Sequence, residues 1–162
     1  MKPILLALSV AAATPALAAG ANAYDALKAM DGHWIATTAK GRTQTIDNSC
    51  ARTGLFFVCE QAVAGTPAAI VIFLPKGHEE GKLTFRTQTL TAGGDRPGPW
   101  KDLTIEDGTW TYTELDHPVG PMHKRRTVVT HSGPNYMRAE VQTELKGGNW
   151  ITLSSENLTR AP

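Results

Sequence analysis

The chain has 162 residues, a formal net charge of +1, 41% hydrophobic residues and two cysteines. That length builds one domain with a sizeable core and excludes two ordinary ones. A near-balanced charge, with Lys124-Arg125-Arg126 as the only basic cluster, excludes an extended nucleic-acid-binding face, and the cluster reads as the solvated start of a strand.

Residues 1–23 read as a secretory signal peptide, followed by a single domain over 24–162. Met1-Lys2 is a minimal positive end, Ile4 to Ala13 is an apolar run, and Ala16-Leu17-Ala18 or Ala21-Asn22-Ala23 supplies the small-x-small cleavage pattern. A membrane anchor is the rival, but the apolar run is short for a bilayer and Pro15 interrupts it, so no span is expected in the mature chain. Loss of Lys2 with the leader leaves basic and acidic residues equal in number. Export delivers the chain to the periplasm or beyond, an oxidising compartment where Cys50 and Cys59 are expected to pair.

The mature chain opens on Tyr24 to Met30, read as a short helix in which Leu27 and Met30 face one side and cap an apolar opening. Gly32 allows a sharp turn that brings Trp34 close to the backbone. Trp34 to Ala39 and Arg42 to Ile46 are strands about the Lys40-Gly41 turn, and Asp47-Asn48-Ser49 breaks the pattern. Leu55 to Gln61 and Ala68 to Leu74 are strands apolar on both faces, which calls for cover on both sides. Pro75 to Gly81 reads as a polar loop, and Lys82 to Leu90 alternates as a half-exposed strand. Ala92 to Pro99, rich in glycine and proline, is a long loop, read either as a lid or as a surface excursion. Asp107-Gly108 joins Lys101–Glu106 to Thr109–Leu115 as a hairpin. Met122 to His131, Asn135 to Leu145 and Trp150 to Leu158 complete the set.

About ten short strands joined mostly by tight turns, with one short helix at the start, make an all-β, up-and-down antiparallel β-barrel the leading fold. A two-sheet sandwich is the alternative; the barrel is preferred because sequential hairpins dominate and closure leaves no edge. If the turn after Cys50 is centred between Gly54 and Leu55, Cys50 and Cys59 lie directly opposite one another, and the short loop they close is worth about 2–3 kcal/mol. Two buried thiols in neighbouring strands are the alternative.

Gly32-His33-Trp34 at the first strand, ahead of a meander of hairpins, resembles the lipocalin and wider calycin superfamily. The resemblance implies that Arg160 packs across Trp34 and that Gly32, Trp34 and Arg160 together close the barrel, a cation–π contact worth about 0.5–2 kcal/mol. The mature chain is also similar to small secreted lipocalin-like proteins of Gram-negative bacteria, most clearly over Asp47 to Glu60. Some related barrels, the nitrobindins, hold haem through one histidine, and on that resemblance His123 and His131 are the residues that would take it.

Chemistry is sparse. His33, His78, His117, His123 and His131 show no zinc spacing, and His123 and His131 on one strand stand too far apart for one ion. Gly-x-Ser-x-Gly does not occur, and Glu79-Glu80 is a solvated loop pair. Glu60 either points into an apolar lumen, where its pKa would rise, or faces water at a strand end. Trp110 and Tyr112 share a face as lumen wall or core.

The leading expectation is a periplasmic or secreted barrel that binds a small apolar or amphipathic molecule without catalysis or cofactor. Trp110, Tyr112 and His123 line its wall, Glu60 is a further candidate, and access is at the end opposite the helix, under the Ala92–Pro99 loop. A second reading is an interaction module with a packed lumen, acting as a homodimer or with a protein partner through its doubly apolar strands; a haem barrel or an enzyme follows behind. N-terminal sequencing of exported protein should begin after Ala18, Ala19 or Ala23; a start at Met1 would contradict the signal peptide.

Overall fold

Period-two alternation along the chain, broken by short glycine-containing turns, produces hairpin after hairpin. The structure, a computed structural model, describes residues 24–79, 82–94, 97–114 and 124–162. Residues 1–23, read above as a signal peptide, together with His117, His123 and the centre of the Ala92–Pro99 loop, lie outside the described residues.

A 3-10 helix, Ala26–Met30, precedes strands β1 (Gly32–Thr38), β2 (Thr43–Thr53), β3 (Phe56–Val63), β4 (Thr66–Glu79), β5 (Lys82–Thr91), β6 (Lys101–Glu106), β7 (Thr109–Glu114), β8 (Arg125–His131), β9 (Tyr136–Glu144) and β10 (Trp150–Arg160). Each pairs antiparallel with its chain neighbours, and β1 pairs with β10 to close the barrel, which rules out the two-sheet sandwich. With three residues per turn, the 3-10 helix eclipses Leu27 and Met30; Leu27 is fully buried and Met30 packs against the same cluster.

Two stretches expected to be irregular are strand. Asp47-Asn48-Ser49 continues β2, because the ladder is paired on both sides and the polar side chains find partners: Asp47 meets His33 on the outer face, and Asn48 Nδ2 donates to Met30 O at 3.1 Å. Pro75 to Glu79 continues β4, with the register shifting between Pro75 and Gly77 where proline has no N–H for the ladder. The same logic places a shift at Gln61/Ala62, opposite Pro67. Two-residue turns at Ala64-Gly65 and Asp107-Gly108 have positive φ at both positions, the conformation that matches hairpin twist.

Cys50 and Cys59 are register partners across the β2–β3 hairpin and form a disulfide, with Cα atoms 4.1 Å apart. The doubly apolar strands β3 and β4 are covered on one side only: Phe57, Cys59 and Phe73 are buried, whereas Phe56 and Ile70 remain 43% and 39% exposed on the outer face. The expected second cover is therefore absent among the described residues.

The helix end is closed by one guanidinium. Arg160, register partner of Trp34, lies 4.3 Å above its ring. It donates to Asp31 O at 2.8 Å, Ala29 O at 3.2 Å and Pro134 O at 3.2 Å, satisfying carbonyls at the end of the 3-10 helix. Trp34 Nε1 donates to Met30 O at 3.0 Å.

Gly32 has φ +111°, and a Cβ there would collide with Arg160 Nη1. Gly32→Ala should cost about 1–3 kcal/mol in chemical denaturation, combining backbone strain with displacement of a guanidinium that is held in place. A cost below about 0.5 kcal/mol would show that Arg160 does not brace this end.

Candidate functional site

Inward side chains divide the lumen into two halves. Tyr24, Leu27, Phe57, Cys59, Phe73, Phe85, Leu103, Ile105 and Trp110 pack one buried cluster, and Trp34, Ala36, Ile46, Met137 and Leu158 form another. Tyr24 stacks on Phe57 with ring centroids 6.0 Å apart, and Phe57 meets Phe73 edge to face at 6.2 Å. Tyr24 Oη donates to Leu55 O at 2.5 Å, tying the helix entrance to the β2–β3 turn.

Side chains of both clusters wall a partly open cavity of about 310 Å³. Ile46, Val63, Val129, Met137, Ala139 and Leu158 supply apolar surface, Trp110 and Tyr112 the aromatic wall, and Gln44, Asn48, Gln61 and Glu156 the polar groups. Ala139 and Glu156 also border an outer groove of about 460 Å³ lined by Thr38, Lys40, Arg42, Thr127, Val141 and Leu153. A bulge between Thr152 and Ser154 brings Leu153 to this groove. The β1–β2 connection borders the groove, so it lies at the end of the barrel opposite the helix.

The polar lining is partly tied together. Gln61 Nε2 donates to Asn48 Oδ1 at 3.2 Å, Asn48 donates on to Met30 O, and the Tyr112 hydroxyl approaches Met30 Sδ at 3.8 Å. Burial pushes the Tyr112 hydroxyl far above the ordinary phenol range, so it stays neutral.

Of the residues singled out from sequence, Trp110 and Tyr112 lie side by side on the cavity wall, while Trp110 also belongs to the packed cluster and is 3% exposed. Glu60 is not a lumen residue. Phe57, Cys59 and Gln61 take the inward positions of β3, so alternation turns Glu60 to the exposed outer face. It borders a surface groove with His33, Asp47 and Ser49. His131 packs its ring on Trp110 at 4.6 Å, with Nε2 buried and lacking a partner among the described residues, and does not line the cavity. Haem iron binds through a ring nitrogen, and Nε2 of His131 is buried; His123 lies outside the described residues. Among the described residues no group of three or more His, Cys, Asp or Glu could hold a metal ion.

Within the Ala92–Pro99 loop, Pro97 bridges Leu90 and Gly98 N donates to Thr89 O at 2.7 Å, so this part is fastened along β5 instead of standing over the mouth as a lid. Gln44, Asn48, Gln61 and Glu156 were missed from sequence. Alternation sets Glu156 on the face of Leu158 and Gln61 on the face of Cys59 without saying which face is inward; Asn48 was hidden by the apparent break in β2. No family model matches the chain, and no curated protein matches it in sequence.

Burial lowers the His131 pKa below its ordinary value. The folded state therefore keeps a neutral imidazole while the unfolded chain takes up a proton below about pH 6.5, so this contribution to stability is complete above that pH and is lost as pH falls through the folded pKa. Melting temperature should drop less between about pH 7.5 and 5 in His131→Phe than in the unaltered chain. Equal slopes would show that His131 carries no such burden.

Proposed function

We propose that this chain is an exported, calycin-like barrel that takes a small apolar or amphipathic molecule into the cavity beside Trp110 and Tyr112, and that it acts by binding without catalysis. The observation that carries the reading is the cavity itself. Its volume of about 310 Å³ stands at the lower end of small-molecule sites, and it combines apolar walls with a few polar groups. A barrel of this size can fill its interior with side chains; this one packs the helix side and leaves the other half lined but open.

Export is supported by the leader-like residues 1–23 and by the Cys50–Cys59 disulfide, which suits an oxidising compartment such as the periplasm. The calycin likeness is supported by Arg160 stacked on Trp34 beside Gly32. Ten strands instead of eight set the chain apart from lipocalins in the narrow sense. A second reading, self-association through the outer face of β3 and β4, is favoured by Leu55 at 74% exposure beside exposed Phe56 and Ile70. Native mass spectrometry at low protein concentration tests it directly: a dimer that Phe56→Ser abolishes supports that reading, and a monomer excludes it.

For the leading reading, octanol should change tryptophan fluorescence saturably in the unaltered chain. Filling the cavity by Ala139→Leu should weaken that binding by at least about tenfold while the far-UV spectrum is preserved. Trp110→Ala is the poorer probe, because removing a packed indole should cost about 3–5 kcal/mol of stability. No saturable response to octanol in the unaltered chain, or full retention of binding in Ala139→Leu, would count against a lumen site.

A further inference from the structure

The cavity wall carries charge of one sign only. Among the residues that line it, Glu156 alone carries a charge at neutral pH, and no lysine or arginine is present. Glu156 is half-buried and sits in register with Thr38 and Ala139, and its carboxylate makes no hydrogen bond or ion pair among the described residues. Thr38 cannot serve it, since its hydroxyl is engaged with the Arg42 backbone. Lys40 and Arg42 border the outer groove but do not pair with it.

The neutral groups bring no competing charge. Gln61 spends one donor on Asn48, Asn48 spends one donor on Met30 O, and Tyr112 directs its O–H toward Met30 Sδ. Gln44, Asn48 and Gln61 keep donors and acceptors alike, so the preference for a charge rests on Glu156. Trp110 and Tyr112 stand on the same wall.

Resting on the binding reading above, we infer that the ligand is an amphipathic amine, its apolar body against Ile46, Met137 and Leu158 and its protonated nitrogen at Glu156. An ammonium group brings donors and a positive charge, which complement a lone carboxylate beside an apolar and aromatic wall. An anionic amphiphile could place its head on Lys40 and Arg42, but its chain would then pass Glu156 and strip water from a carboxylate that gains no partner. Position reinforces this: Glu156 borders both the cavity and the groove, so a nitrogen held there leaves the apolar body directed inward.

Three probes of equal chain length separate the outcomes: octylamine, octanol and octanoate, titrated at neutral pH below their aggregation limits into the mature chain, into Glu156→Gln and into Glu60→Gln, with tryptophan fluorescence and calorimetry as readouts. Octylamine should bind at least about tenfold more tightly than octanol and octanoate, Glu156→Gln should bring it down to the octanol level, and Glu60→Gln on the outer face should leave all three unchanged. Far-UV spectra and melting curves confirm that each variant is folded. If octanoate or octanol binds as tightly as octylamine, or if the preference survives Glu156→Gln, the amine assignment is overturned while lumen binding stands. If none of the three binds the unaltered chain, the binding reading falls, and the assignment with it.

Discussion

The pairing of β1 with β10 is the constraint on which everything else in this molecule depends. Ten short strands can bury one face each only if the sheet closes, because an open sheet of this length leaves two edges of unpaired N–H and C=O groups. Closure runs through five register pairs from Trp34–Arg160 to Thr38–Glu156, and the ends of that ladder mark the two ends of the barrel. At one end Arg160 stacks on Trp34 and bonds the carbonyls that the 3-10 helix leaves unsatisfied. At the other, Glu156 stands where the cavity meets the outer groove. One ladder thus seals the barrel and positions the charge at its mouth.

Packing inside the closed sheet is uneven for a physical reason. Large aromatic side chains enter from β3, β4, β5 and β7, and with Tyr24 ahead of the helix and Leu27 within it they fill their side of the lumen. Facing them, β2, β9 and β10 contribute Gln44, Asn48, Ala139 and Glu156, which are too small or too polar to meet across the gap. Half-buried amides persist there because Gln61, Asn48 and Met30 O form a chain of hydrogen bonds, which offsets the cost of drawing them partly out of water. The disulfide staples the hairpin that carries Asn48 and Gln61, so the polar wall rests on a covalently held element.

The outside of the barrel carries its own chemistry without converging on a site. His33 pairs with Asp47 and Glu60 lies on the next strand, but all three face solvent on a surface groove. Phe56 and Ile70 stay partly exposed on the same sheet, since a single-layered barrel has no second layer to cover an outer apolar face.

Much of the fold was legible along the chain. Alternation in Met137-Arg138-Ala139-Glu140-Val141, the Asp107-Gly108 and Lys146-Gly147-Gly148-Asn149 turns, and the even run of hairpins each specify a local choice, and together those choices leave a meander that closes on itself. The disulfide was legible too, because residues 50 and 59 are symmetric about Gly54 and Leu55. Local pattern failed where tertiary pairing overrode it: polar Asp47-Asn48-Ser49 is held in the ladder between β1 and β3, and proline-containing Pro75 to Glu79 is held by β5. The site lay further out of reach. Alternation states that Glu60 and Gln61 face opposite ways, but which of them faces in depends on the register of the closed sheet. Glu156 and Tyr112 come together across the lumen only because ten strands close with one particular stagger. Sequence alone determined the strands, the turns and the staple, since these are contacts between near neighbours. The cavity and its lone carboxylate were decided by tertiary structure, since they arise from residues that no local periodicity relates.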